Sequence, residues 1–145
     1  MSIDLCIIKD WENEDIKYVR DSLRGFNYQF ISSIPLSKPE PINLILKEDG
    51  LIISGLLGSM YWQCCHVDYL WVDESYRKEG YGTKLLQKVE EIARENKCRF
   101  IHLDTMSFQA LGFYEKCGYS VFGKLDGYPE GIVRYYLKKE LVEEG

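Results

Sequence analysis

Ile16, Val19, Leu23 and Phe26 recur at three- and four-residue steps, the spacing that lines one face of an α-helix, and predict a helix that buries that face. The pattern ends near Gly25–Tyr28. Ahead of it, Ile3, Leu5 and Ile7 alternate with polar or smaller residues across Met1–Asp10, the two-residue period of a first strand. Ser32–Pro41 carries Pro35, Pro39 and Pro41 and reads as a loop, because proline removes a donor and blocks the helical turn before it. Ile42–Lys47 and Leu51–Leu57 are apolar runs flanking Asp49-Gly50, a pair that accepts the positive φ of a tight hairpin. Tyr61–Val72, rich in β-branched and aromatic residues, reads as one longer strand.

The period then switches. Leu85, Leu86, Val89, Ile92 and Ala93 mark one face of a helix over Gly80–Asn96, with most of its charged residues elsewhere. Arg99–Asp104 is a short strand and Phe108–Lys116 a short helix stopped by Gly118. Tyr119–Leu125 and Ile132–Lys138 complete the set as strands. The order β-α-β-β-β-α-β-α-β-β predicts an α/β fold with a mixed sheet flanked by helices.

Composition narrows this only a little. At 145 residues, 46% hydrophobic and 14% aromatic, the chain suits a single folded domain over residues 1–145. A formal net charge of −5 argues against nucleic acid and anionic membrane as partners, since both require basic surface. Any anionic ligand must then be held by a local positive site. The five cysteines, Cys6, Cys64, Cys65, Cys98 and Cys117, have no framework spacing and suit reduced thiols in a cytoplasm. Cys64, Cys65 and His66 are adjacent on a predicted strand, so alternation turns them apart and no metal site is expected. Met1–Asp10 lacks the basic and long apolar regions of a signal peptide, and no run reaches the ~20 apolar residues of a membrane span.

The richest segment chemically is Val72–Thr83. A strand ends, Arg77 and Lys78 follow, and Gly80 and Gly82 flank Tyr81 where the amphipathic helix begins. A helix N-terminus presents unpaired N–H groups and partial positive charge, and glycines there remove the Cβ atoms that would hold a phosphate away. Position 85 is Leu, which breaks a dinucleotide fingerprint, and Gly82 is followed by Thr83-Lys84 rather than Lys-Ser/Thr, which breaks a P-loop. The residues alone leave two readings: a diphosphate site, or a tight turn with close helix packing.

Arg77-Lys78-Glu79-Gly80-Tyr81-Gly82 resembles the R/Q-x-x-G-x-G/A motif of the GNAT superfamily of acyl-CoA N-acyltransferases. Ala110–Tyr119 is similar to that superfamily's A-x-x-F-Y-x-x-x-G-F/Y segment, and one helix and one strand separate the two, as in the family. The resemblance implies a GNAT-like fold, mostly antiparallel, and acetyl-CoA as cosubstrate. It assigns diphosphate contacts to Arg77, Lys78, Gly80, Tyr81, Gly82 and Thr83, and pantetheine pairing and an oxyanion-binding N–H to Leu70, Trp71 and Val72. Tyr114 takes the position of the general acid that protonates the departing thiolate. Ser107 stands where many members have a pantetheine-binding Asn, and can alternatively cap the short helix. Glu79 replaces a small or basic residue beside the phosphate turn.

An alkylammonium acceptor must lose a proton, so a base is expected. His66, Asp68 and Leu70 share a predicted strand face, and Asp68 is the candidate base or ammonium ligand. His66, Asp104 or a water are the alternatives. Asn27, Tyr28, Ser32–Pro41 and Asp126–Gly131 are expected around the acceptor. The implied reaction is acetyl transfer to a primary amine of a small molecule; acetylation of a protein or peptide amine and a non-catalytic CoA sensor are the alternatives. A homodimer is compatible with this reading.

Overall fold

The computed structural model describes residues 1–141. Asp49 and Gly50 adopt positive φ (48° and 83°) and reverse the chain between β1 (Glu40–Glu48) and β2 (Leu51–Tyr61), as their sequence predicts. A second reversal follows at Trp62 and Gln63, with φ of 49° and 60°, and opens β3 (Cys64–Val72). The single strand predicted over Tyr61–Val72 is therefore two strand segments and a turn. Trp-Gln carries no turn signal, and left-handed backbone costs a non-glycine residue roughly 1–2 kcal/mol. Tertiary bonds hold it: the Trp62 N–H donates to the Leu36 carbonyl (2.7 Å) and the Gln63 carbonyl accepts from the Arg99 N–H (2.7 Å).

Six strands form one sheet. The rest are β4 (Phe100–Met106), β5 (Ser120–Leu125) and β6 (Arg134–Glu140), in the spatial order β1-β2-β3-β4-β6-β5. Every adjacent pair is antiparallel except β3 and β4. That parallel pair requires a crossover, supplied by α2 (Tyr81–Glu95). On the face covered by α2, Leu85, Leu86, Val89 and Ala93 pack with Leu56, Met60, Cys65, Val67, Ile101, Leu103 and Leu137. A short α3 (Leu111–Lys116) closes the same core through Tyr114. The predicted start at Phe108 is too early, because the Gln109 side chain accepts from the Met106 N–H (2.7 Å) and holds that segment as a turn.

The amino-terminal prediction is only half right. A helix forms, α1 (Glu14–Ile31), capped by the Asn13 side chain accepting from the Asp15 N–H (2.8 Å). It runs past the expected end at Tyr28, and no residue in it is buried. Val19, Leu23 and Phe26, expected to face a core, are 58–68% exposed. Met1–Asp10 is not a strand, and Ile3, Leu5 and Ile7 are 86–101% exposed. The alternation is present in the sequence, but a strand exists only when another strand pairs with its backbone.

Candidate active site

The feature that opens a site is the short pairing of β3 with β4. Their register covers Cys64 with Phe100, Cys65 with Ile101 and His66 with His102, and then stops. From Val67 onward the strands part, and a cleft of about 850 Å³ lies between them, within the size range of small-ligand sites. Leu70, Trp71, Val72, Arg77, Lys78, Gly80, Tyr81, Gly82 and Thr83 line it, with Asp68 and Tyr114. Ser107 is not among the lining residues. Its hydroxyl accepts from the Val133 N–H (3.0 Å), tying the end of β4 to the segment before β6, and the residue capping α3 is Ala110. Phe108, Gln109 and Phe113 border the cleft without having been expected there. For Gln109 the available signal was a polar residue just before the Ala110 motif.

Backbone direction sorts the β3 residues. The Asp73 N–H donates to the Ile53 carbonyl on β2 (2.8 Å), so by strand alternation the peptide groups of Trp71 also point to β2. The Trp71 carbonyl indeed accepts from the Ser54 hydroxyl (2.8 Å). The groups of Leu70 and Val72 point the other way, into the cleft, and the Val72 carbonyl accepts from Arg77 Nε (3.2 Å). Leu70 and Val72 therefore offer free N–H groups to a ligand, while Trp71 offers its side chain.

At the far end, Lys78 and Gly80 take φ of 66° and 85°, turning the chain so that α2 begins against the cleft. The first N–H groups of α2, from Tyr81 to Thr83, have no acceptor within the helix. A Cβ on Gly80 would meet nothing, so glycine is required there for its backbone. At Gly82 a Cβ would come 3.1 Å from Phe113 Cζ, so this glycine also lets α3 pack on the first turn of α2. Helix packing thus requires a small residue at the same position where the sequence leads one to expect a phosphate.

At the other end a register shift between Leu57 and Gly58 makes Asp68 an extra residue between Val67 and Tyr69. The predicted face shared by His66, Asp68 and Leu70 is broken by this bulge: Leu70 turns to the core under α2, while His66 and Asp68 stay together. His66 Nδ1 lies 2.5 Å from Asp68 Oδ1. Behind this pair the His66 and His102 rings stack edgewise at 4.5 Å, and the Tyr61 hydroxyl lies 3.0 Å from His102 Nε2. Burial, then the neighbouring His66, hold His102 below the ordinary imidazole range. Asp104 also borders the cleft but is bound by Arg134, with Nε and Nη2 both 2.8 Å from its Oδ2. Its charge is already balanced.

Tyr114 is 7% exposed. Burial foremost, then nearby Cys117 and Asp104, raise its phenol to about 12, so it is neutral throughout the physiological range. Asn27, Tyr28 and Asp126–Gly131 are not among the residues that line the cleft.

A turn that exposes a helix N-terminus, two parted parallel strands and a buried tyrosine thus surround one cavity. The family model described as the acetyltransferase (GNAT) family matches residues 6–119. The chain belongs to the GNAT acetyltransferase family. It is 42% identical over 95 residues to blasticidin-S acetyltransferase of Streptomyces morookaense, covering 65% of this chain and 70% of that one. A crystal structure of an acetyltransferase from Bacillus cereus is 35% identical, with a TM-score of 0.82 over 93% of this chain and 97% of the other. A Bacillus anthracis protein described as a streptothricin acetyltransferase, solved with acetyl coenzyme A, is 27% identical. Its TM-score is 0.63, covering 71% of this chain and 64% of its own. The chain is an N-acetyltransferase, and its described residues build a six-stranded mixed sheet.

Proposed function

We propose that this GNAT enzyme transfers the acetyl group of acetyl-CoA to a primary amine of a small molecule, using the cleft between β3 and β4. The observation that carries the reading is the continuity of that cleft, which runs from the α2 N-terminus past Leu70 and Val72 to Tyr114 and Asp68. The similarity to a blasticidin-S acetyltransferase supports a small-molecule acceptor, and the acetyl-CoA complex of the B. anthracis relative supports the donor.

Bound acetyl-CoA supplies an activated acyl thioester. Arg77, Lys78 and the free N–H groups of Tyr81, Gly82 and Thr83 bind its diphosphate, overcoming a net charge of −5 by local field. The outward N–H groups of Leu70 and Val72 hold the pantetheine arm and polarise the thioester oxygen, a contact worth ~3 kcal/mol when well aimed. Asp68, steadied by His66, holds the acceptor amine and accepts its proton as the nitrogen attacks, when bonding to the acyl carbon has made that proton acidic. Full transfer of a proton from a phenol at about 12 to a thiolate of ordinary affinity (~8.5) runs uphill by roughly 5 kcal/mol. Tyr114 therefore acts as a neutral hydrogen-bond donor while charge grows on the sulfur.

The test is thiol release from acetyl-CoA with a panel of small primary amines beside peptides bearing free N-terminal and lysine amines. Turnover with at least one small amine, exceeding that with the peptides, is expected. Turnover with peptides alone would move the acceptor to protein amines. No turnover with either class, despite acetyl-CoA binding, would favour a sensor.

A further inference from the structure

Two surfaces of this chain are unfinished, and they fit each other. The first is the amino-terminal arm. Met1–Asp10 forms neither strand nor helix although its apolar residues alternate, and α1 turns Val19, Leu23, Phe26 and Phe30 to solvent. The second is the sheet. β1 is an edge strand whose outer side has no neighbour among the described residues. The register places Ile45, Gly55 and Trp71 in one row and Leu57 and Tyr69 in the next, on the face opposite α2. Ile45, Leu57, Tyr69 and Trp71 are all exposed there. A segment with the alternation of a strand but no pairing, and a helix without a sheet, accompany an edge without a strand and a face without a helix.

The hinge between them is stiff. α1 ends with the Ser32 N–H bonded to the Tyr28 carbonyl (3.0 Å) and the Ile34 N–H bonded to the Ile31 carbonyl (2.9 Å). Pro35 and Pro39 follow, and Leu36, packed on the core, accepts from the Trp62 N–H. On the near side of this hinge α1 buries none of its residues, and its own β1 edge and bare face stay uncovered. Short, constrained hinges favour exchange of an element between copies.

We propose that the occupant of the bare edge and face is the arm of a second copy: the chain is a dimer in which residues 1–31 are exchanged, Met1–Asp10 extending the partner's sheet at β1 and α1 covering the partner's Ile45–Trp71 face. The area is sufficient. Burying the apolar side chains of one arm removes on the order of 1,000 Å² from water, and two exchanged arms exceed the ~1,600 Å² of a standard stable interface. Trp71 and Tyr69 also line the cleft, so the exchanged α1 walls the acceptor end beside Asp68. This last consequence rests on the proposed amine transfer; the exchange itself does not.

The test uses two differently tagged full chains, co-expressed. One keeps Cys6; the other carries Cys6→Ser and Asn43→Cys on β1. A short bismaleimide should join the two tags through Cys6 and position 43, identified by peptide mapping, and light scattering should give twice the 17.0 kDa chain mass. Leu23→Asp with Phe26→Asp should shift the mass to the monomer. A monomeric wild-type mass, or a dimer in which the two tags are never joined through Cys6 and position 43, would overturn the proposal. So would a dimer that survives the double substitution in folded form. Should that variant not fold, the wild-type mass and the tagged cross-link decide alone.

Discussion

α1 and α2 are both amphipathic and similar in length, 18 and 15 residues, yet they live in opposite surroundings. α2 buries Gly82, Leu85, Leu86, Val89, Glu90 and Ala93, whereas α1 buries nothing. α2 also starts against the cleft, since its first turn borders it and its Gly82 seats Phe113. The difference teaches that a helical period announces a face in need of cover without saying which molecule covers it.

The largest expected effect separates the two helices by stability. Leu86→Ala opens a cavity in a closed core and should lower the unfolding free energy by ~3 kcal/mol at every protein concentration. Leu23→Ala should lower it only in proportion to dimer formation, so its effect should shrink on dilution in denaturant titrations. Equal, concentration-independent losses would erase the distinction.

Glycines make the next comparison. Gly82→Val brings a branched side chain against Phe113 and the phosphate approach together, and should weaken acetyl-CoA binding by ~10²-fold in calorimetric titration. Unchanged affinity in a folded variant would remove the diphosphate role from this turn. Gly25→Ala in α1 meets nothing within 4 Å. It should stabilise the helix by roughly 0.5–1 kcal/mol and leave that affinity alone.

Between these in size stands Tyr114→Phe, which removes one oxygen under α2 and almost no volume. We expect kcat to fall ~10²-fold with acetyl-CoA affinity within a few-fold, the pattern of an interaction made only in the transition state. Normal turnover would make Tyr114 a packing aromatic.

The smallest effect concerns His102, on the side of the sheet away from α2. Its folded pKa is depressed below the unfolded value of ~6.5, so the folded chain binds fewer protons than the unfolded one in that window. The stability it contributes is full above ~6.5 and is lost as pH falls through the folded pKa. His102→Gln should flatten the acid side of the stability profile below pH 6.5; an unaltered profile would discount the burial.

Much of the fold is legible in the sequence. The Asp49-Gly50 hairpin, α2 and the glycine turn are local: the residues that make them are those that show them. Apart from the early start at Phe108, a local turn made by Gln109 and Met106, the differences are long-range. The Trp62-Gln63 turn is held by Leu36 and Arg99, distant in sequence, against the backbone preference of both residues. The bulge at Asp68 is a property of the pairing with β2, so period-two alternation wrongly carried Leu70 to the face of His66. Ser107 was aligned by motif but is engaged by Val133, and Asp104 is engaged by Arg134. The arm shows the same limit: alternation over Met1–Asp10 and the helical period of α1 mark apolar faces, but nothing within the described chain covers them.

The central claim is that the β3–β4 cleft holds acetyl-CoA through the α2 N-terminus, and ligand-dependent melting tests it most directly. At a hundredfold excess over Kd, acetyl-CoA should stabilise the fold by roughly 2.7 kcal/mol, a rise in Tm of about 5–10 °C, while NAD and ATP, which lack the pantetheine arm, should give much less. No rise at millimolar acetyl-CoA, or an equal rise with all three, would contradict it.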